Sequence, residues 1–118
     1  MNRYKLLIDT ILVSLFLNKY SLDISRIHAL IFLISHDIKE LRKLLDFIPN
    51  QNGIYSYKID KIIYEFYKRG YVKKKKSRIL LIKDGVMKAI RIINKYPYVH
   101  TVEAFVKFLK KLSDDELL

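Results

Sequence analysis

The sequence predicts a mostly α-helical domain that carries one small β-hairpin, and three observations lead there. Over residues 56–69 the apolar side chains Ile59, Ile62, Ile63 and Phe66 fall at i, i+3, i+4 and i+7, the spacing of a single buried helical face. Gly70 stands where a left-handed residue would end that helix. Residues 71–82 then lose the helical period. Tyr71 and Val72 lead into a basic stretch and Ile79 to Ile82 return, which predicts two strands reversing near Lys76-Ser77. On both sides of this unit the apolar residues resume helical spacing.

At 118 residues and 51% hydrophobic content, the chain is read as one folded domain over 1–118. It divides into an N-terminal helix (1–20), a helix-turn-helix with its wing (22–83) and C-terminal helices (84–118). The first helix, 2–18, is apolar around most of its circumference, from Leu6, Leu7 and Ile8 to Leu15, Phe16 and Leu17. Such a helix needs cover on several sides, either from its own chain or from a second subunit. A second helix over 22–35 turns Ile24, Ile27, Leu30, Ile31 and Ile34 inward and holds His28, expected as a packed, hydrogen-bonded histidine. Asp37 and Glu40 have capping-box spacing and predict a helix over 38–47 burying Leu41, Leu44 and Leu45.

Pro49, Asn50, Asn52 and Gly53 read as a loop, and Ser56 as the N-cap of the following helix, with Asp60 at its positive end. After Asp84-Gly85 a helix over 86–94 is expected to place Val86, Ile90 and Ile93 on one face. Tyr96-Pro97-Tyr98 breaks it. Thr101 would cap a last helix over 102–112, whose Val102, Phe105, Val106, Leu109 and Leu112 make a narrow stripe for docking on its own domain or on a twin. Helix, loop, helix and basic hairpin follow in the order of a winged helix-turn-helix with extra N- and C-terminal helices.

The formal charge is +11 and the pI about 9.8. Net charge is +2 over residues 1–53, +8 over 54–83 and +1 over 84–118, so the excess sits in the helix and hairpin, the footprint of a nucleic-acid or anionic-surface binder. Opposite the apolar face of the 56–69 helix, Tyr57, Lys61, Tyr64 and Lys68 share one side. On double-stranded DNA that side would enter the major groove, with Ser56 and Lys58 near phosphates and Arg69 at the helix end. Lys73, Lys74, Lys75, Lys76 and Arg78 would grip the backbone through the wing. The plainer alternatives are a solvated helix face and an edge strand guarded by lysine.

With no cysteine, disulfides and thiolate metal sites are excluded. His28, His36 and His100 lack ligand spacing, so neither metal nor cofactor is expected. No Gly-rich phosphate loop or nucleophile–base pair stands out, which argues against an enzyme and a small-molecule substrate. The apolar run over 6–17 is too short for a bilayer, no signal-peptide cleavage site follows it, and a cytoplasmic location is expected. Usage of 17 Ile against 3 Ala and one Gln suits an AT-rich, archaeal or viral source and a hot habitat. Asp114, Asp115 and Glu116 read as a solvated tail.

Gly70-Tyr71-Val72, the basic strand, Ile79-Leu80-Leu81-Ile82 and Asp84-Gly85 together resemble the wing of winged-helix regulators. Residues 22–74 resemble the Panacea-type antitoxin group in the helix over 24–34, the step Phe47-Ile48-Pro49, the turn Gly53-Ile54-Tyr55-Ser56 and the helix ending in Gly-aromatic-Val. The reading taken is a homodimeric transcriptional regulator paired through its apolar terminal helices, with recognition helix 56–69 and wing 71–82. A protein-binding antitoxin or adaptor module and a sequence-indifferent architectural nucleic-acid binder are the alternatives.

Overall fold

The computed structural model describes residues 2–50 and 53–112. In chain order the elements are α1 (Arg3–Leu17), β1 (Ser21–Asp23), α2 (Ile24–Ser35), α3 (Lys39–Leu44), β2 (Ile48–Asn50), β3 (Gly53–Tyr55), α4 (Tyr57–Lys68), β4 (Val72–Lys75), β5 (Arg78–Leu81), α5 (Lys83–Ile93) and α6 (Val99–Lys110). Helix α1 starts because the Asn2 side chain accepts the Tyr4 and Lys5 amides. It buries Leu6, Leu7, Ile11, Leu12, Val13 and Leu15 together with Thr10 and Ser14. The two hydroxyls tolerate burial because they donate back to the Leu6 and Thr10 carbonyls at 2.7 and 2.6 Å. Tyr96 closes the same spot with its hydroxyl 2.6 Å from that of Thr10, and burial raises its pKa.

Helices α2, α3, α5 and α6 and the sheet all pack on α1. Of the two expected sources of cover for α1, its own chain supplies one, with Tyr4, Ile8, Phe16 and Leu17 only partly buried. Helix α6 likewise docks inward through Val102, Val106 and Leu109, its final carbonyls receiving the Arg26 guanidinium.

Strands β1, β5 and β4 form an antiparallel sheet in that order. The hairpin turns at Lys76-Ser77 as expected, with Lys75 opposite Arg78 and Lys76 at φ 56°. Strand β1 takes the place of a short break and of the first two residues of the helix expected over 22–35. Lys19 and Tyr20, both at positive φ, swing the chain out of α1, and the Tyr20 carbonyl accepts the Leu81 amide, which seats Ser21–Asp23 beside β5. A second hairpin, β2–β3, replaces the expected loop between the third and fourth helices. Helix α3 is correspondingly shorter than residues 38–47. It begins after Ile38, with no side-chain cap, so the Asp37–Glu40 capping box does not form.

Helix α5 begins at Lys83, ahead of the expected 86–94, and its inner residues are Gly85 and Ala89, while Ile90 is 46% exposed. Gly85 is the reason. A Cβ there would lie 2.1 Å from the Tyr71 carbonyl oxygen, so α5 seats its glycine against that carbonyl and rotates Ile90 outward. Helix α6 starts at Val99 after Tyr98, and Thr101 lies inside it with no capping role. Gly85→Ala is expected to lower stability by about 2–3 kcal/mol through overpacking. Gly70→Ala, at φ 75° in open space, should cost roughly 1–2 kcal/mol. Urea denaturation of both variants checks the order.

Candidate nucleic-acid interface

Helix α4 is the element that the sequence described most completely. Ile59, Ile62, Ile63 and Phe66 are buried, and Tyr57 and Tyr64 are 75% and 59% exposed on the opposite side with Lys61 and Lys68. Its end is a Schellman turn: the Gly70 amide donates to the Tyr67 carbonyl and the Tyr71 amide to the Phe66 carbonyl at 2.9 Å, with Gly70 at φ 75°. Only that left-handed residue lets the chain drop from α4 into β4 without a spacer.

The register of the wing sorts its cations. Val72 pairs with Leu81 and Lys74 with Ile79 on the inner side of the sheet; Lys73 and Lys75 lie with Leu80 and Arg78 on the outer side. Lys73, Lys74, Lys75, Lys76 and Arg78 are all exposed, because Lys74 lies on the outermost strand past the end of the core. Arg69, at the end of α4, is exposed as well. Lys68 lies 3.9 Å from Glu65 and 5.4 Å from the centre of the Tyr64 ring, and Lys58, half-buried, lies 3.7 Å from Asp46. Exposed pairs of this kind stabilise by at most about 1 kcal/mol and release their cations readily.

Ser56 is the correction among the proposed contacts. It stands at the N-cap position, but it is 1% exposed and its hydroxyl neither caps α4 nor meets any other partner, so it cannot reach a phosphate. The start of α4 is held instead by His28 of α2. The Ser56 amide donates to His28 Nδ1 at 3.1 Å, which leaves the proton on Nε2, 2.9 Å from Asp60 Oδ1. Tyr55 stacks on the His28 ring and donates its hydroxyl to Asp60 Oδ2 at 2.5 Å. That hydrogen bond to the carboxylate, with burial and charge adding to it, pushes the Tyr55 pKa up to about 12. Asp60, assigned to the helix dipole, thus also anchors two neighbours.

The tip of the wing is tied to the start of the same α2. Asp23 caps that helix through the Ser25 amide and hydroxyl, and accepts the Ser77 hydroxyl on its other oxygen at 2.5 Å. The Ile24 amide donates to the Ser77 carbonyl at 2.8 Å, and Arg78 donates to the Ser21 hydroxyl. Burial raises the Asp23 pKa, but the bonds from Ser77 and Ser25 and the Arg78 charge outweigh it and hold the carboxyl below its usual value. Asp23 and His28 are separated by about 7 Å along α2. Its first turns therefore hold both the N-terminal end of α4 and the wing tip, while Gly70 joins the other ends.

Sequence reasoning missed Tyr67, 58% exposed beside Tyr64, because attention to the i, i+4, i+7 row left out its flank. His28 is packed and hydrogen-bonded as expected, but its partners and the Asp23–Ser77 anchor were missed, since a three-residue strand and a long-range His–Asp bond leave no periodic trace. Among the described residues no three His, Asp or Glu side chains gather as a metal site, and no helix is long and apolar enough to cross a membrane. Compared with protein-family models, with curated proteins and with solved structures, the chain matches none of them.

Ser56→Ala should be neutral or slightly stabilising despite the N-cap position, since the hydroxyl it removes has no partner. His28→Ala should cost about 2–4 kcal/mol by stranding the Ser56 amide and opening a cavity. Thermal melts of the two variants test this contrast. Asp23 gives a pH signature: its folded pKa is below the unfolded value, so the stability it contributes is present above about pH 4 and is lost as pH falls through the folded value. Asp23→Asn should flatten that acid limb of stability against pH, measured by urea midpoints.

Proposed function

We propose that this chain is a DNA-binding protein of the winged helix-turn-helix kind that acts as a transcriptional regulator, with α4 in the major groove and the β4–β5 wing on the backbone. The observation that carries the proposal is the fastening of α4 and the wing to the same end of α2. It makes Tyr57, Lys61, Tyr64 and Lys68 and the wing cations parts of one rigid body. The succession of α2, α4 and wing supports it too, with α3 and the β2–β3 hairpin intervening. Lys61, Lys68 and Arg69 supply charge at the helix, and Lys73, Lys74, Lys75, Lys76 and Arg78 at the wing. Tyrosine and lysine read base edges weakly, so sequence selectivity is modest.

One observation favours a second reading, the antitoxin or adaptor module. Three exposed tyrosines on one helix, Tyr57, Tyr64 and Tyr67, are residues that protein interfaces use as anchors.

Fluorescence anisotropy with the protein's own upstream duplex and a random duplex, at two salt concentrations, separates the readings. A regulator prefers the upstream duplex, an architectural binder takes both equally, and an adaptor takes neither. With roughly 4 to 6 phosphates neutralised, the log–log salt slope should be about −4 to −5, and a slope near zero removes the DNA reading. Lys61→Glu with Lys68→Glu should abolish binding and leave the circular dichroism spectrum unchanged, because both side chains point away from the core.

A further inference from the structure

Away from α4 and the wing, a cleft of about 540 Å³ opens between the first turns of α1 and the last turns of α5. Lys88, Arg91 and Lys95 line it, spaced i, i+3 and i+7 and so on one stripe of α5 running into the turn beyond it. Lys5 adds a fourth cation from α1. The one carboxylate in the lining, Asp9, is already engaged by Lys5 at 2.9 Å, and among the described residues no carboxylate pairs with Lys88, Arg91 or Lys95. Three like charges at neighbouring helical spacings line the cleft without a carboxylate partner, an arrangement that favours an anion there.

The lower part of the cleft is different in kind. Ile92, Tyr96 and Pro97 contribute carbon, since the Tyr96 hydroxyl turns inward to Thr10. A concave site with an apolar floor and a few converging polar groups, within the usual 300–1,000 Å³, suits a small organic ligand.

We propose that this cleft binds a phosphorylated small molecule of the nucleotide class, its phosphates against Lys88, Arg91 and Lys95 and its less polar body against Ile92, Tyr96 and Pro97. The site is independent of the helix-and-wing surface and stands whether or not that surface binds DNA.

The test titrates the full chain with N-methylanthraniloyl-ADP, followed by fluorescence anisotropy. Saturable binding is expected, with Arg91→Glu plus Lys95→Glu weakening it by roughly tenfold or more. Both residues are exposed, and the milder pair Arg91→Gln plus Lys95→Gln serves if the charge reversals disturb folding. Lys73→Glu plus Lys75→Glu on the wing should leave binding unchanged. Unlabelled ADP should displace the probe at a concentration roughly tenfold lower than inorganic phosphate does. Absence of saturation, equal loss in the wing variant, or displacement by inorganic phosphate and ADP at the same concentration each overturns the proposal.

Discussion

The fold depends on the burial of α1. A helix with Leu6, Leu7, Ile11, Leu12, Val13 and Leu15 around its circumference must be covered on most of its sides, so much of the chain is arranged as its cover. Helices α2, α3, α5 and α6 lie against it and bury most of their apolar side chains in doing so, with Met87, Ile90 and Phe108 left outside. Helix α4 is the exception. It stands at the periphery beside β4, with one apolar face inward and a polar face left over. The most basic segment is thus the one the core does not surround.

A peripheral helix needs another means of being held in place, and this chain uses directional polar contacts. Apolar packing of Ile59, Ile62, Ile63 and Phe66 favours burial of a face but permits sliding along it. The bonds from His28 to the Ser56 amide and to Asp60 admit one position only. Because His28 is 2% exposed, a slip would leave its ring nitrogens and the Ser56 amide unpaired in the interior, which costs far more than the bonds themselves contribute. The Asp23–Ser77 bond does the same for the wing tip, at a more exposed place and with weaker effect.

The parts of this arrangement legible in the sequence were those with a period or a unique residue. The four apolar residues of α4 and its Tyr–Lys face, Gly70 at positive φ and the reversal at Lys76-Ser77 all follow from local rules acting on adjacent residues. What was illegible depends on residues distant in the chain. Ser21–Asp23 extends because Tyr20 and Ile24 find partners near Leu81 and Ser77, not because three residues prefer a strand. Ile90 points outward because Gly85 meets the Tyr71 carbonyl, although its own spacing from Val86 and Ile93 says otherwise. Ser56 kept its N-cap position without a capping bond, and its own amide is held by a histidine 28 residues earlier, which no local rule shows. The charge excess over residues 54–83 was readable, whereas the uncompensated stripe on α5 was hidden by a segment net charge of only +1.

The wing shows how far the fold carries its charge unaided. Lys73, Lys74, Lys75, Lys76 and Arg78 fill five of the six positions 73–78 around one turn, all exposed, with Asp23 the carboxylate built against them. Mutual repulsion of these side chains opposes the hairpin, while Val72, Ile79 and Leu81 hold only its base in the core. The tip is kept closed by the bonds that Asp23 and Ile24 make to Ser77, so part of its stability resides in one carboxylate remaining ionised. A polyanion laid along the outer side would remove the repulsion and stabilise the hairpin by mass action. Closure of the hairpin is thus a balance between the repulsion of its cations and the bonds that Asp23 and Ile24 make to Ser77.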